Sequence, residues 1–487
     1  IAGQFIVFGD KMSTARTIAF NSWAIFSGRL LSKIIGLATL FLLARYLGVE
    51  LFGQYSLALT FVGFFLYLND FGVTSVVVRK LVQQSGNESD LVSKAMTLKI
   101  LFSVGAVALS LAFAFFLGYP IEIMILIFIF SLSIVPSSIT SIFNGVFQAR
   151  LQNHYAIFSE IVNYAIYLLL ILPLIILNAS LQLILLAFFL AAIASLFASW
   201  FFARKFVKIS FKVDVALWKS MVFEGYPFAF ALISSSLYSR IDVLMISKML
   251  NDSAVGLYSA GFRLTESLAI IPNSLVIPLF PLMSGMFKNS AKNLDLSYRL
   301  GFRYLVVFFL PVAVGGSILA QRIILLVYGP EFASNLASST LVVLLWSAFV
   351  MFLNQISITA LNSAMKEKTV MKSYVLGILV NVGLNFFLIP VYGIVGAAIT
   401  TLVTESIMFF IFYFSLKNIF APKISLLFKP MVAAAIMTGF VLYFFSQNLF
   451  VLVFLGGIIY FVALFFAKAF TKQDKEIFMK VFGQKMQ

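Results

Sequence analysis

Residues 47–56 read LGVELFGQYS, and residues 250–259 read LNDSAVGLYS. Leu47, Gly53, Tyr55 and Ser56 return as Leu250, Gly256, Tyr258 and Ser259, each 203 residues later. A second match lies further along each copy. Asn144 and Asn163 stand 19 residues apart, and so do Asn362 and Asn381, at an offset of 218. Pro173 and Pro390 follow the second Asn of each pair. Repetition of this kind decides an architecture before any local reading does. The chain reads as an internal duplication.

What is duplicated is a set of membrane helices. A spanning helix needs about 20 mostly apolar residues. Fourteen such stretches occur, at 18–46, 52–79, 93–118, 121–148, 154–177, 180–204, 217–248, 253–286, 297–320, 334–363, 370–390, 393–417, 427–446 and 448–470. Six fall in each copy, and an even number gives both copies the same orientation. The predicted fold class is an all-α polytopic membrane protein with two six-helix lobes related by a pseudo-two-fold along the membrane normal. In such a fold a substrate site lies where the repeats meet, near mid-membrane. The expected parts are a tail at 1–12, an N-lobe at 13–210, a C-lobe at 211–422, and helices 13–14 with a C-terminal tail at 423–487. Met12 looks like a natural start, and no cleavable signal peptide is expected, because the first apolar helix is too long for one.

Composition supports this class. Of 487 residues 62% are apolar and 11% charged, whereas soluble domains carry about 25% charged residues. With no Cys and only His154, thiolate chemistry, iron–sulfur clusters and multi-histidine metal sites are excluded. No GxxxxGK[ST] motif occurs, so the chain carries no P-loop of its own. The net charge of +16 is a topology signal. Most basic residues, among them Arg79, Lys80, Arg204, Lys205, Lys366, Lys368 and Lys372, fall on the side that holds both termini. The positive-inside rule makes that side cytoplasmic. A multi-pass protein of the plasma membrane is expected, drawn to anionic lipid rather than nucleic acid.

Ionisable groups deep in the spans are costly and normally face a cavity or a partner. Arg29 and Lys33 share one face of the first helix, at i, i+4, with no acid within a turn. They need an anion from another helix, with Asp70 and Glu160 as candidates, or from a substrate such as a diphosphate. Arg240 and Asp242 lie on helix seven, Arg263 and Glu266 on helix eight, and Glu405 on helix twelve. Arg263 and Glu266 are spaced to pair. Asp242 joins Asn381 and Asn385 on helix eleven and Thr400, Thr401 and Thr404 on helix twelve as a second constellation. Such oxygens could hold a hard monovalent cation, or Asp242 could carry a proton. They could equally be interhelical hydrogen bonds.

The stretches ARYLGVELFGQYSLAL, SRIDVLMISKMLNDSAVGLYSAGFRL and NVGLNFFLIPVYGIVGAAITTLVTE resemble the polysaccharide-transport, Wzx-type lipid-linked oligosaccharide flippases. That family belongs to the multidrug/oligosaccharidyl-lipid/polysaccharide exporter superfamily, and the resemblance runs from about residue 13 to 470. It implies two six-helix lobes plus two C-terminal helices, and flipping of polyprenyl-diphosphate-linked oligosaccharide to the outer leaflet by alternating access. It also implies a basic cavity for the diphosphate and sugar, with Arg29 and Lys33 as best matches and Arg240, Arg263 and Asp70 as further candidates. Asp242, Asn381, Asn385 and Thr401 fall where some relatives bind Na⁺. Here Asn385 stands where an acid can occur, which leaves H⁺ coupling open. No cofactor beyond Na⁺ or H⁺ is expected, and a monomer is the default. The alternatives are a multidrug exporter of the same fold and a lipid II-type flippase. An enzyme is not expected, because the outer loops are short and poor in carboxylates.

Overall fold

Hydrocarbon offers no partner to a free backbone amide, so apolar stretches satisfy their own hydrogen bonds as helices. The computed structural model describes residues 14–83, 87–276, 279–280, 283–285, 291–417, 419–420, 428–467 and 469, and every regular element among them is helical. The expected tails at 1–12 and beyond 470 lie outside the described residues.

In chain order the helices are α1 (Thr14–Asp70), α2 (Val73–Val82), α3 (Glu88–Phe116), α4 (Ile121–Ser131), α5 (Ile134–Ala149), α6 (Asn153–Ile176), α7 (Leu181–Ala203) and α8 (Val215–Met249). Then follow α9 (Asp252–Leu268), α10 (Ile270–Val276), α11 (Ala291–Tyr328), α12 (Asn335–Ser363), α13 (Glu367–Lys417), α14 (Phe428–Tyr443) and α15 (Leu449–Phe466). Two of these are double. α1 breaks at Gly48 (φ 69°) and α13 at Gly393 (φ 59°), backbone conformations that cost a residue with a Cβ. Counting each double helix as two spans, and joining α1 to α2, α4 to α5 and α9 to α10, gives the fourteen crossings. Among the described residues nine helices are long and apolar enough to cross a bilayer on length and composition alone. α8 carries Glu224, Arg240 and Asp242, and α9, which at 17 residues is shorter than these nine, carries Arg263 and Glu266.

The chain divides into two compact units. Unit 1 comprises residues 1–46 and 58–233, and unit 2 comprises residues 47–57 and 234–487. Unit 1 has a core of Val73, Val76, Val77, Leu98, Ile142 and Met221. A buried polar string runs beside it. Asn69 donates to Ser138 Oγ (2.8 Å), and Ser103 Oγ donates to Asn69 Oδ1 (3.3 Å), tying α1, α3 and α5 together. At the end of α3, Lys212 and Lys94 both contact Asp90, and Lys94 also contacts Asp214 (2.9 Å). Lys212 and then Lys94 hold Asp90 below the usual carboxylate range; the Leu217 amide and Lys94 do the same for Asp214. Depressed carboxylates contribute their stability above the ordinary range and lose it only as pH falls through the lowered one. This clamp therefore persists in mild acid.

Unit 2 packs Tyr298, Phe302, Phe309, Phe352 and Tyr460 in one core that reaches α14 and α15 through Met437, Val441 and Leu452. Arg322 donates to the carbonyls of Phe445 and Gln447 (2.5 and 2.7 Å), closing the end of α14. The duplicated motif is also resolved inside this unit. A Cβ on Gly53 would strike the carbonyl oxygen of Asp252, and a Cβ on Gly256 would strike that of Val49. Val49 and Asp252 are themselves 203 residues apart, so the two copies touch reciprocally. Gln54 Nε2 adds a hydrogen bond to Asp252 Oδ2 (2.9 Å).

Backbone against backbone leaves nothing flexible to move aside. Gly256→Ala should cost about 1–3 kcal/mol by overpacking, read as a lower melting temperature of the purified protein. Gly457→Ala, which meets no heavy atom within 4 Å, should melt like the parent. Equal melting of the two variants would remove the close contact from any structural role.

Candidate functional site

Arg29 and Lys33 lie one turn apart on α1, and both are exposed. Glu160 on α6 is within Coulomb reach of both. The acid that helix one lacks locally is therefore supplied from another helix, and two cations face one carboxylate.

Asp70 does not serve this cluster. It accepts hydrogen bonds from Lys99 Nζ (2.6 Å) and Thr74 Oγ1 (2.5 Å). Lys99 is 1% exposed. The sequence reading overlooked Lys99, although its position inside an otherwise apolar span, TLKIL, was the available signal. Asp70 accordingly reads as half of a structural ion pair at the α1–α3 contact.

Arg263 donates to Glu266 (2.7 Å) across one turn of α9, as the spacing suggested, and Arg240 of α8 approaches the same carboxylate at 3.8 Å. This is again two cations on one acid, with both arginines largely covered.

The polar constellation comes together. Asp242 is 4% exposed. Its Oδ1 accepts from Asn385 Nδ2 (2.7 Å), and its Oδ2 accepts from Thr401 Oγ1 and Tyr258 OH (2.8 Å each). Asn381 Oδ1 in turn accepts from Asn385 (3.0 Å). All four residues singled out from the sequence meet at one point. Tyr258 was missed in this role because its place in the duplicated motif explained it sufficiently. Thr400 and Thr404 do not join, and their buried hydroxyls find no partner among the described residues. Asn385 Oδ1 is likewise buried and unpartnered. One carboxylate with neutral oxygens suits a monovalent cation better than a divalent one, and among the described residues no group of three or more His, Asp or Glu could hold a metal.

Asp242 lines a cavity of about 310 Å³ within unit 2. Glu405 of α13 lines it too and is 3% exposed. Its carboxylate accepts from Tyr238 OH (2.8 Å) and Asn354 Nδ2 (2.7 Å).

Comparison with known proteins fits this geometry. The model of the family described as polysaccharide biosynthesis protein matches residues 18–287, and that described as MatE matches residues 227–387. A candidate O-antigen transporter of Shigella flexneri is 25% identical over 393 residues, covering 78% of this chain and 92% of its own. The probable flippase AglR of Haloferax volcanii is 29% identical over 174 residues, 35% of this chain and 36% of its own. Among solved structures, the lipid II flippase MurJ in an inward closed conformation superposes with a TM-score of 0.77 at 17% identity. The match covers 94% of this chain and 99% of that one. The fold is thus the two-lobe membrane architecture with two additional C-terminal helices.

The buried pair gives the sharpest structural test. Removing one partner of a buried ion pair costs about 3–5 kcal/mol, because the other charge is stranded. Lys99→Met should lose stability on that scale, and Lys99→Met combined with Asp70→Asn should recover much of it in a double-mutant cycle. Additive losses would mean that the two side chains do not depend on each other.

Proposed function

The chain belongs to the polysaccharide biosynthesis protein family, whose model it matches over more than half its length, and from that premise we propose that it is a flippase. Its cargo is a polyprenyl-diphosphate-linked oligosaccharide, moved from the cytoplasmic to the outer leaflet by alternating access. Both termini are cytoplasmic in this reading, as the distribution of basic residues requires. The observation that carries it is the Arg29–Lys33 pair, exposed on one face of α1. A guanidinium forks onto phosphate oxygens and an ammonium adds a point charge. Holding the polar head in a hydrated basic site spares it the cost of crossing hydrocarbon. Export of cationic drugs would ask for the opposite charge at this place.

The Asp242 constellation is the coupling site of the same reading. Asp242, Asn381, Asn385 and Thr401 would take up a monovalent cation. An ion drives transport only if it binds one conformation better than another. A cation entering as the lipid leaves would make the protein an antiporter.

The test is reconstitution with a polyprenyl-diphosphate oligosaccharide labelled on the sugar. Protection from external glycosidase is followed with and without Na⁺ and pH gradients. Wild-type protein should move the label. The Arg29→Ala/Lys33→Ala variant should lose at least tenfold in rate, the scale of one charge-assisted contact of about 1.5–3 kcal/mol. Normal transport by the double variant would remove the diphosphate role from these residues. Asp242→Asn should abolish the gradient dependence, and a gradient response that survives it would place coupling elsewhere.

A further inference from the structure

Burying a carboxylate without a cation is strongly unfavourable. The cavity of unit 2 buries two, Asp242 and Glu405, and none of the described residues lining it is Lys or Arg. The third acid at its wall, Glu266, is already taken by Arg263 and Arg240. The other titratable groups facing Glu405 are Tyr238 of α8, from which Asp242 also projects, and Tyr374 of α13. The polar residues that α12 contributes, Ser347, Asn354 and Gln355, are all neutral. The cavity therefore needs positive charge from outside, and one ion at Asp242 leaves Glu405 uncompensated.

The two carboxylates differ in how many side-chain donors hold them. Asn385 donates from one nitrogen to Asp242 Oδ1 and to Asn381 Oδ1, and its own Oδ1 is buried with no partner among the described residues. With three donors at 2.7–2.8 Å, that shell is built for a charged carboxylate. The shell of Glu405 is smaller, with two side-chain donors. Asn354 Nδ2 serves both Glu405 Oε2 (2.7 Å) and the Glu405 carbonyl (2.9 Å), while Asn354 Oδ1 is buried with no partner among the described residues. Asn354 is 2% exposed and lines the same cavity. Turned by half a revolution, this amide would give up its bond to the Glu405 carbonyl and present an acceptor to a carboxylic O–H in place of a donor to a carboxylate. Tyr238 OH can likewise donate or accept.

We propose that Glu405 is a second ion-carrying group of this cavity, one that takes up and releases a proton independently of the cation site at Asp242. The proton resides on a Glu405 carboxyl oxygen while the cavity is closed and passes to water when it opens. The Asn354 amide turns between the two states. Each cycle then moves two positive charges through unit 2, one at Asp242 and one at Glu405. The inference deepens the coupling reading given above, but the protonation itself does not depend on it.

Infrared difference spectra of purified protein in lipid nanodiscs, recorded as the pH is stepped, report the carbonyl stretch of a protonated carboxyl group. Wild type should show this band. Glu405→Gln should lose it, and Asp242→Asn should keep it. Binding of radioactive Na⁺, measured in parallel, should be lost in Asp242→Asn and stay within about twofold in Glu405→Gln, less than 1 kcal/mol. A band that survives Glu405→Gln overturns the proposal, and so does loss of Na⁺ binding in that variant. Asn354→Leu leaves the carboxyl group in place, so it gives a reading even if Glu405→Gln fails to fold. Its band should titrate at a shifted midpoint, and an unmoved midpoint overturns the part assigned to the amide. Absence of Na⁺ binding in the wild type would sink the Asp242 reading without touching the band. Absence of lipid transport beside a normal band would sink the flippase reading alone.

Discussion

A charge in hydrocarbon has to be answered, and the polar interior of this protein is the set of answers. Lys99 is answered by Asp70 at 2.6 Å. Arg29 and Lys33 lie within reach of Glu160, and Arg240 and Arg263 both approach Glu266. Among the described residues Asp242 and Glu405 are held by hydroxyls and amides. Four of these groups, Arg240, Asp242, Arg263 and Glu266, sit on α8 and α9. They are tolerated because their polar atoms face one another.

This pattern separates structural from functional charge. A neutral buried pair holds helices together and gains nothing from a ligand. A basic pair exposed on a helix face, as Arg29 and Lys33 are, can take a counter-ion, and its stability then depends on what binds. The contrast between Asp70 and Glu160 illustrates the difference. Both are single acids inside apolar spans, and neither looks special in the sequence. One is consumed by Lys99 of an adjacent helix, whereas the other stands within reach of two exposed basic residues.

Much of the fold could be read without coordinates, because a bilayer makes hydropathy a nearly direct record of topology. The fourteen crossings and the bends near Gly48 and Gly393 follow from apolar length and punctuation. The Asp242 constellation was legible for a related reason: Asn381 and Asn385 are one turn apart, so their shared face is a matter of helical geometry. What stayed hidden depended on pairing between distant segments. Lys99 meets Asp70 across 29 residues, and Asn354 meets Glu405 across 51. No period in the sequence records which of several helix faces turns toward which. Tyr258 was hidden differently, since a residue with one visible role in the repeat invited no second one.

The contact between the two copies of the repeated motif has one more implication. Gly53 lies against Asp252, and Gly256 against Val49. In repeat coordinates these are the same two positions, each touching its counterpart in the other copy. Such reciprocity is the signature of an isologous interface, the kind formed when two identical molecules meet about a dyad. A chain of half this length could have made the same contact with a second copy of itself. The fusion of two such chains would have preserved a dimer interface as an internal helix crossing, with both glycines bound to the fate of the other.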